Sequence, residues 1–432
     1  MPNTKVLNTA PKSLGFKKKT STVNLITHGQ GVFLFNVKEA CVFTIYNSDE
    51  SDGLEVSLNN EFIVKRISNS NKYESQSVKG GLSTKSGAYY WFSLDSQNQL
   101  LQAGVGEARV ETLCYKYQFD KTAKLWEANK IFLESLVCID LPESITPIRL
   151  LKDPITQSVP LLVKGTHQLS MDDVASSSYL PNAVLSPAAQ ALYNCVAGEI
   201  FVLDTPDFPD FSKAIEHSIT TPGLWCNTRL KQKQNEFGRV ENPTSFRSDF
   251  NSMKSLEFGK DPQPKETYLR ITLGQNNGES PGIPYVMEIW PVGHYSPIHN
   301  HSGANAVIRV LHGSINVSLF PFLCDEPEGV QPFAKHDFKK GDITWISSTL
   351  NQVHQLKNID NKEACITIQC YLYDKTDIEH YDYFDYLGKN NAKSQYEPDS
   401  DMDFVEFKKK IKEEWSSYAI SKKRRFSFFG KK

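Results

Sequence analysis

The sequence predicts a mainly β protein built as a β-sandwich followed by a jelly roll or small barrel with flanking helices. Three observations carry this reading. Short alternating apolar and polar runs fill positions 22–141, two helical stripes occupy 186–220, and a second series of strand-like runs fills 266–378. At 432 residues the chain exceeds one ordinary core, so two or three domains are expected.

Residues 1–20 are polar and basic and read as a mobile arm. The sandwich is expected over 21–142, where "GVFLFNV", "CVFTIYN", "LEVSL", "EFIVKRI", "AYYWFSL" and "QLLQAGV" are separated by turn-formers such as "NSDESDG". Residues 143–185 carry Pro147, Pro154, Pro160 and three consecutive serines, the composition of a connector. Next, "SPAAQALYNCVAG" predicts a helix capped by Ser186, with Pro187 in the first turn and Gly198 at the end. Its apolar face would hold Ala188, Leu192, Cys195 and Val196. A second helix is expected over 208–220, with Phe208, Phe211, Ile215 and Ile219 on one stripe and Pro222-Gly223 as the stop. The barrel unit spans 186–388, with strands at "YLRITLG", "YVMEIWP", "AVIRVL", "SINVSLF", "DITWIS" and "ACITIQCYLY". Residues 389–432 read as a charged tail with one helical stretch, "FVEFKKKIKEEWSSYAI".

Composition narrows the function classes. Lys and Arg (48) nearly balance Asp and Glu (50), so no global field points to a nucleic-acid partner. The eight cysteines are scattered without a CxxC pair, which fits a reduced, cytoplasmic setting. No window approaches the ~20 apolar residues of a membrane span.

The chemistry concentrates in "PIHNHSG", residues 297–303. Alternate residues of a strand project to one side, so His299 and His301 can aim two ring nitrogens at one point. Such a pair can arise by chance in a solvated loop. A third ligand from elsewhere turns it into a metal site, and His354 in "NQVHQLKN" is the candidate, because three ligands leave positions open for substrate.

"GHYSPIHNH", "VIRVLHGSINVSLF" and "KKGDITWISSTLNQVHQLKN" resemble the two cupin motifs, and are most similar to the cysteine dioxygenase branch, the thiol dioxygenases. The resemblance implies a cupin jelly roll whose three neutral histidines hold Fe(2+). It also implies oxidation of a small thiol by O2 to a sulfinic acid, with L-cysteine first and cysteamine or 3-mercaptopropionate as rivals. Ordinary cupins add a glutamate ligand after the histidine pair; this chain has Ala306 at that position, as thiol dioxygenases also lack the acid. Ala306 also removes the cysteine that animal cysteine dioxygenases link to a tyrosine. The resemblance further implies that Arg270, supported by Tyr268, clamps the substrate carboxylate, and that Tyr371 lies beside the iron and steers dioxygen. The family's serine-histidine-tyrosine relay reads Thr367, Gln369 and Tyr371 here, so Gln369 replaces a titratable group at the substrate pocket. A non-catalytic cupin scaffold is the reading from a different class.

In the front unit, "YYWFSLDSQNQLLQAGVGEARVETLCYKY" resembles the farnesoic acid O-methyltransferase-type domain, through Trp91, Asp95, Gly104 and Gly106. That resemblance implies a module that binds a protein or ligand, not a methyltransferase. The closing "KKRRFSFFGKK" pairs six basic residues with three phenylalanines. A solvated tail and weak contact with an anionic membrane both fit this pattern.

Overall fold

The computed structural model describes residues 4–6, 21–37, 41–58, 62–68, 72–74, 76–77, 85–197, 202–237, 267–274, 285–373, 383–396 and 399–429. The front unit is a sandwich of two antiparallel sheets. One runs, edge to edge, Thr4–Val6, Ile145–Leu151, Gln30–Val37, Tyr90–Asp95, Leu100–Val105, Leu113–Gln118 and Gln76–Ser77. The other runs Ser21–Asn24, Leu136–Leu141, Cys41–Asn47, Gly53–Leu58, Phe62–Arg66 and Lys72–Glu74. The period-two pattern is visible at Cys41, Phe43 and Ile45, which are buried while Val42 faces out. Between the sheets, Phe43 meets Phe35 edge-on with ring centroids 5.5 Å apart, and meets Phe92 at 5.7 Å.

Three features depart from the sequence expectation. The strand Ile145–Leu151 lies in the predicted connector yet pairs with Gln30–Val37, so the sandwich reaches Leu151. Pro147 is tolerated there because the register shifts beside it. Thr4–Val6, in the predicted arm, pairs with that same strand; the other residues of 1–20 lie outside the described residues. A helix, Ala123–Glu134, interrupts the all-strand reading of 22–141.

The second unit packs two sheets in jelly-roll fashion. The larger runs Tyr179–Pro181, Leu162–Lys164, Ile343–Ile346, Asn305–His312, Cys365–Leu372, Tyr285–Trp290, Leu269–Gly274 and Met402–Asp403. The smaller runs Ala334–Lys339, Ser314–Leu319, His354–Lys357, Ile298–His299, Phe384–Leu387 and Lys393–Tyr396. The rest of the predicted connector therefore supplies edge strands to the larger sheet.

Helices cover the outer face of that sheet. Pro187–Val196 is capped by Ser186, whose Oγ accepts from the Ala189 N–H at 3.1 Å. It buries Ala189, Leu192, Tyr193 and Val196, a stripe shifted from the predicted one at Ala188 and Cys195. Phe211–Thr220 buries Phe211 and Ile215 as expected, and a further helix, Trp225–Phe237, follows the Pro-Gly stop.

The helical stretch expected in the tail joins the core. Its helix, Phe404–Phe429, buries Phe407 and Ile411 against Phe211, Trp225 and the larger sheet. Asp401, with a side chain only 1% exposed, pairs with Arg229 at 2.7 Å and Lys233 at 2.8 Å, and accepts from the backbone N–H of Arg270 at 2.8 Å. The side chains of 423–429 and all of 430–432 lie outside the described residues, and with them most of the basic-aromatic run. No helix among the described residues is long and apolar enough to cross a membrane.

Phe407→Ala should cost about 3–5 kcal/mol, the usual loss for a fully buried phenylalanine. Thermal unfolding of the full chain checks this. An unchanged midpoint would mean that the tail helix is not part of this core.

Candidate functional site

The smaller sheet places the histidines. His299 and His354 are direct cross-strand partners, and His301 follows His299 by two residues. The three rings converge, with centroids 5.0 Å apart for His299–His301, 4.6 Å for His299–His354 and 4.8 Å for His301–His354. One nitrogen of each lies within 4.8 Å of the others.

Hydrogen bonds decide which nitrogen points inward. The Nδ1–H of His299 donates to the Pro297 carbonyl at 3.0 Å, and that of His354 donates to the Asn351 carbonyl at 3.1 Å. Both therefore present Nε2 lone pairs to the centre. Nε2 of His301 lies 3.2 Å from Nε2 of His354. Ligand nitrogens about 2.1 Å from a shared ion would be roughly 3.0–3.4 Å apart, so this pair already has the spacing of a chelate. Burial, above all, holds the three rings well below the ordinary histidine pKa, to about 4 for His299 and about 3 for His354. His299 and His354 are thus neutral imidazoles with inward lone pairs. The third ring, His301, meets them with its Nε2, and its Nδ1, without a partner among the described residues, is free to take the proton. Together they are the donor set of a first-row metal, so the residues fit such an ion.

The larger sheet supplies the rest of the pocket. Arg270, Glu288 and Thr367 lie in one cross-strand row over three adjacent strands. Gln369 and Tyr371 follow Thr367 at alternate positions and face the same way, while Ala306 pairs directly with Tyr371. A cavity of about 590 Å³, counting its open mouth, is lined by Arg270, Glu288, Gln369 and Tyr371, by the three histidines and by the aromatic rings of Tyr268, Trp290, Phe384, Tyr386 and Tyr396. Arg270 is therefore a pocket residue and not a solvated strand arginine. Its Nε lies 3.5 Å from Glu288 Oε1, an ion pair without hydrogen-bond geometry. Burial opposes the charge of Arg270, but the Glu288 carboxylate and the nearby tyrosines keep it protonated. Burial pushes Glu288 itself up to about 7, against the pull of Arg270 and Lys233.

Two expected roles change in detail. Tyr268 stacks on Trp290, with centroids 4.0 Å apart, so it supports the pocket wall. The Tyr371 hydroxyl donates to Gln369 Oε1, while Gln369 Nε2 donates to Glu288 Oε2 at 2.5 Å and to Thr367 Oγ1 at 3.2 Å. When Glu288 is ionised its oxygen can only accept, and the amide takes this orientation; protonation of Glu288, which burial lifts to about 7, releases that constraint. With Glu288 ionised, the phenol hydrogen of Tyr371 is thus committed, and toward the pocket its oxygen can only accept. Sequence reasoning missed Glu288, Tyr396 and Phe384. Glu288 had a signal: it is the one charged residue of the otherwise apolar "YVMEIW" and falls in register with Arg270.

Two packed sheets, helices on one outer face and three converging histidines define a cupin-fold protein. The chain is 23% identical to cysteine dioxygenase type 1 of Danio rerio over 121 residues, covering 27% of this chain and 55% of that protein. It is 21% identical to the human cysteine dioxygenase type 1 over 104 residues, covering 24% and 50%. The chain thus spans about half the length of these relatives. Among solved structures it is similar to the cupin domain of Schizosaccharomyces pombe Cnp3, at 16% identity and TM-score 0.19 over 25% of this chain and 65% of that one. It is also similar to a cupin superfamily protein of Desulfitobacterium hafniense, at 12% identity and TM-score 0.18 over 26% and 81%. No family model matches the chain, so the likeness of the front sandwich to the farnesoic acid O-methyltransferase-type domain gains no support.

Because the folded rings stay neutral where unfolded histidines take up protons, acid should destabilise the metal-free chain as pH falls below about 6.5. Ring-proton NMR of the metal-free protein checks the cause. All three site histidines should keep neutral-form shifts down to about pH 5.5. A titration midpoint near the ordinary value for any of them would contradict the burial argument.

Proposed function

We propose that this protein is an iron-dependent thiol dioxygenase, with L-cysteine as the leading substrate. The observation that carries the reading is the convergence of His299, His301 and His354 in a pocket whose far wall presents Arg270. The weak similarity to cysteine dioxygenase type 1 supports it.

His299, His301 and His354 would hold Fe(2+). When bound, the ion supplies a Lewis-acidic, redox-active centre beside which a thiol ionises and O2 can react. The protein's own contribution is placement. Arg270 leaves Nε and Nη2 without hydrogen-bond partners among the described residues, so it can receive a substrate carboxylate in fork geometry. Tyr371 offers a hydroxyl oxygen as acceptor next to His301, whose ring it stacks against at 5.3 Å. Phe384, 4.7 Å from the His301 ring, helps exclude water. The net reaction balances as RSH + O2 → RSO2H: sulfur is oxidised, O2 is reduced, and both oxygen atoms stay on sulfur.

Glu288 bears on which thiol. A carboxylate already faces Arg270, so an incoming substrate carboxylate meets both charges. An ammonium group on the substrate would offset the second. This favours cysteine, and after it cysteamine, over 3-mercaptopropionate.

An oxygen electrode tests the activity directly. Iron-loaded protein should consume O2 on addition of cysteine and yield one sulfinic acid per O2, and His354→Ala should lose iron and turnover together. A stable, iron-free protein with no thiol-dependent uptake would favour the scaffold reading. Glu288→Gln should raise the turnover of 3-mercaptopropionate relative to cysteamine by roughly tenfold, the effect of about 1.4 kcal/mol. An unchanged ratio would remove Glu288 from substrate selection.

A further inference from the structure

The front sandwich and the jelly roll share more than a linker. Phe322 and Cys324, on the jelly-roll loop after Ser314–Leu319, are buried in the sandwich core with Phe62, Tyr115 and Phe119. The backbones touch as well. Gly106, with φ +85°, lies so close to the loop that a Cβ there would sit 2.1 Å from the Pro321 carbonyl oxygen. The same geometry holds at Gly87, with φ +82°, against the Leu323 carbonyl. Only glycine meets both demands.

Beside this seam the sandwich inserts a carboxylate. Glu107 is 1% exposed. Its Oε2 accepts from the Asn351 N–H at 2.8 Å and its Oε1 from the Gln352 N–H at 2.7 Å. Arg109, 3.6 Å from that carboxylate, donates to Asn351 Oδ1 at 2.8 Å. Successive backbone N–H groups aimed at one anion form an anion-binding nest, here filled from the other unit.

The clamped pair leads straight to the histidines. Asn351 holds a left-handed φ of +63°, and its carbonyl takes the His354 Nδ1–H at 3.1 Å. Gln352 reaches across to the turn after His301: its Nε2 donates to the Ala304 carbonyl at 2.9 Å, and its Oε1 accepts from the Gly303 N–H at 3.0 Å. Ala304 N–H in turn donates to the His301 carbonyl at 2.9 Å. One carboxylate thus anchors the segment that orients His354 and, through Gln352, the turn that carries His301.

We propose that Glu107 is a positioning residue of the metal centre, and that the front sandwich is a structural part of that centre. This rests on the reading of the three histidines as metal ligands. A buried carboxylate is costly unless its partners are fixed, and here the partners are the two amides that set the geometry of a ligand. The "GVGEAR" stretch then has a structural assignment: Gly106 permits the contact with the loop, and Glu107 makes the clamp.

The test uses the full chain and Co(2+) as the probe, titrated anaerobically. Glu107→Ala should weaken Co(2+) binding about 10–100-fold, the usual effect of removing a group that orients a ligand. Glu107→Gln, which keeps one acceptor oxygen, should fall between that variant and wild type. It also serves where the alanine variant fails to fold. Phe322→Ala thins the same seam and leaves the Glu107 carboxylate, its two amides and Arg109 unaltered, with the neighbouring Pro321 carbonyl still accepting from the Glu107 N–H at 3.2 Å. It should lower the unfolding temperature yet leave Co(2+) affinity within about twofold of wild type.

Hydrogen exchange on the metal-free proteins gives a second reading. The Asn351 and Gln352 amides should exchange faster in both Glu107 variants than in Phe322→Ala. Wild-type affinity in Glu107→Ala, or equal weakening by Phe322→Ala, would overturn the proposal. If wild type binds no Co(2+), the metal reading itself fails. The exchange comparison then decides alone whether Glu107 holds the segment.

Discussion

Everything about this site depends on burying three imidazoles next to one another without letting them take up protons. Desolvation removes the charged form, and the carbonyls of Pro297 and Asn351 each take an Nδ1–H, which leaves the opposite lone pairs facing inward. Three neutral donors this close repel less than three cations would, but they still lack a positive partner. A metal ion would supply one. The sheet makes the arrangement cheap: His299 and His354 are cross-strand neighbours, so their approach follows from ordinary strand pairing.

The opposite wall of the pocket obeys the same rule with charged groups. Arg270 and Glu288 are both almost fully buried, and each would be costly alone. Register puts them side by side, and Gln369 and Tyr371 extend the chain of contacts from Glu288 toward His301. Gln369 stands where the thiol dioxygenases that the sequence resembles carry a histidine, and the network still runs through it. With Glu288 ionised, Gln369 fixes the network's direction, because an amide has a donor end and an acceptor end that do not exchange by titration.

Much of this was legible in the residues. The period-two runs placed the strands, and the His-x-His pair with a distant third histidine gave the centre, because strand geometry leaves little freedom at alternate positions. What escaped the sequence depended on long-range pairing. The strand Ile145–Leu151 hid behind Pro147, which is accepted at a register shift that no local rule shows. The stretch after 388 read as charged with one helix and gave no local sign of a partner, yet Asp401 is buried against Arg229 and Lys233, and Phe407 and Ile411 enter a core assembled from distant segments. Glu107 carried no signal of its own, because the backbone amides it accepts from lie more than 240 positions later in the chain.

The central claim is that these three rings share one ion. X-ray absorption on the iron-loaded chain tests it most directly. The account predicts about three imidazole nitrogens near 2.0–2.2 Å from the metal, and a shell that loses one imidazole in His354→Ala. An iron shell of oxygen ligands without imidazole scattering, or one that is identical in that variant, would contradict it.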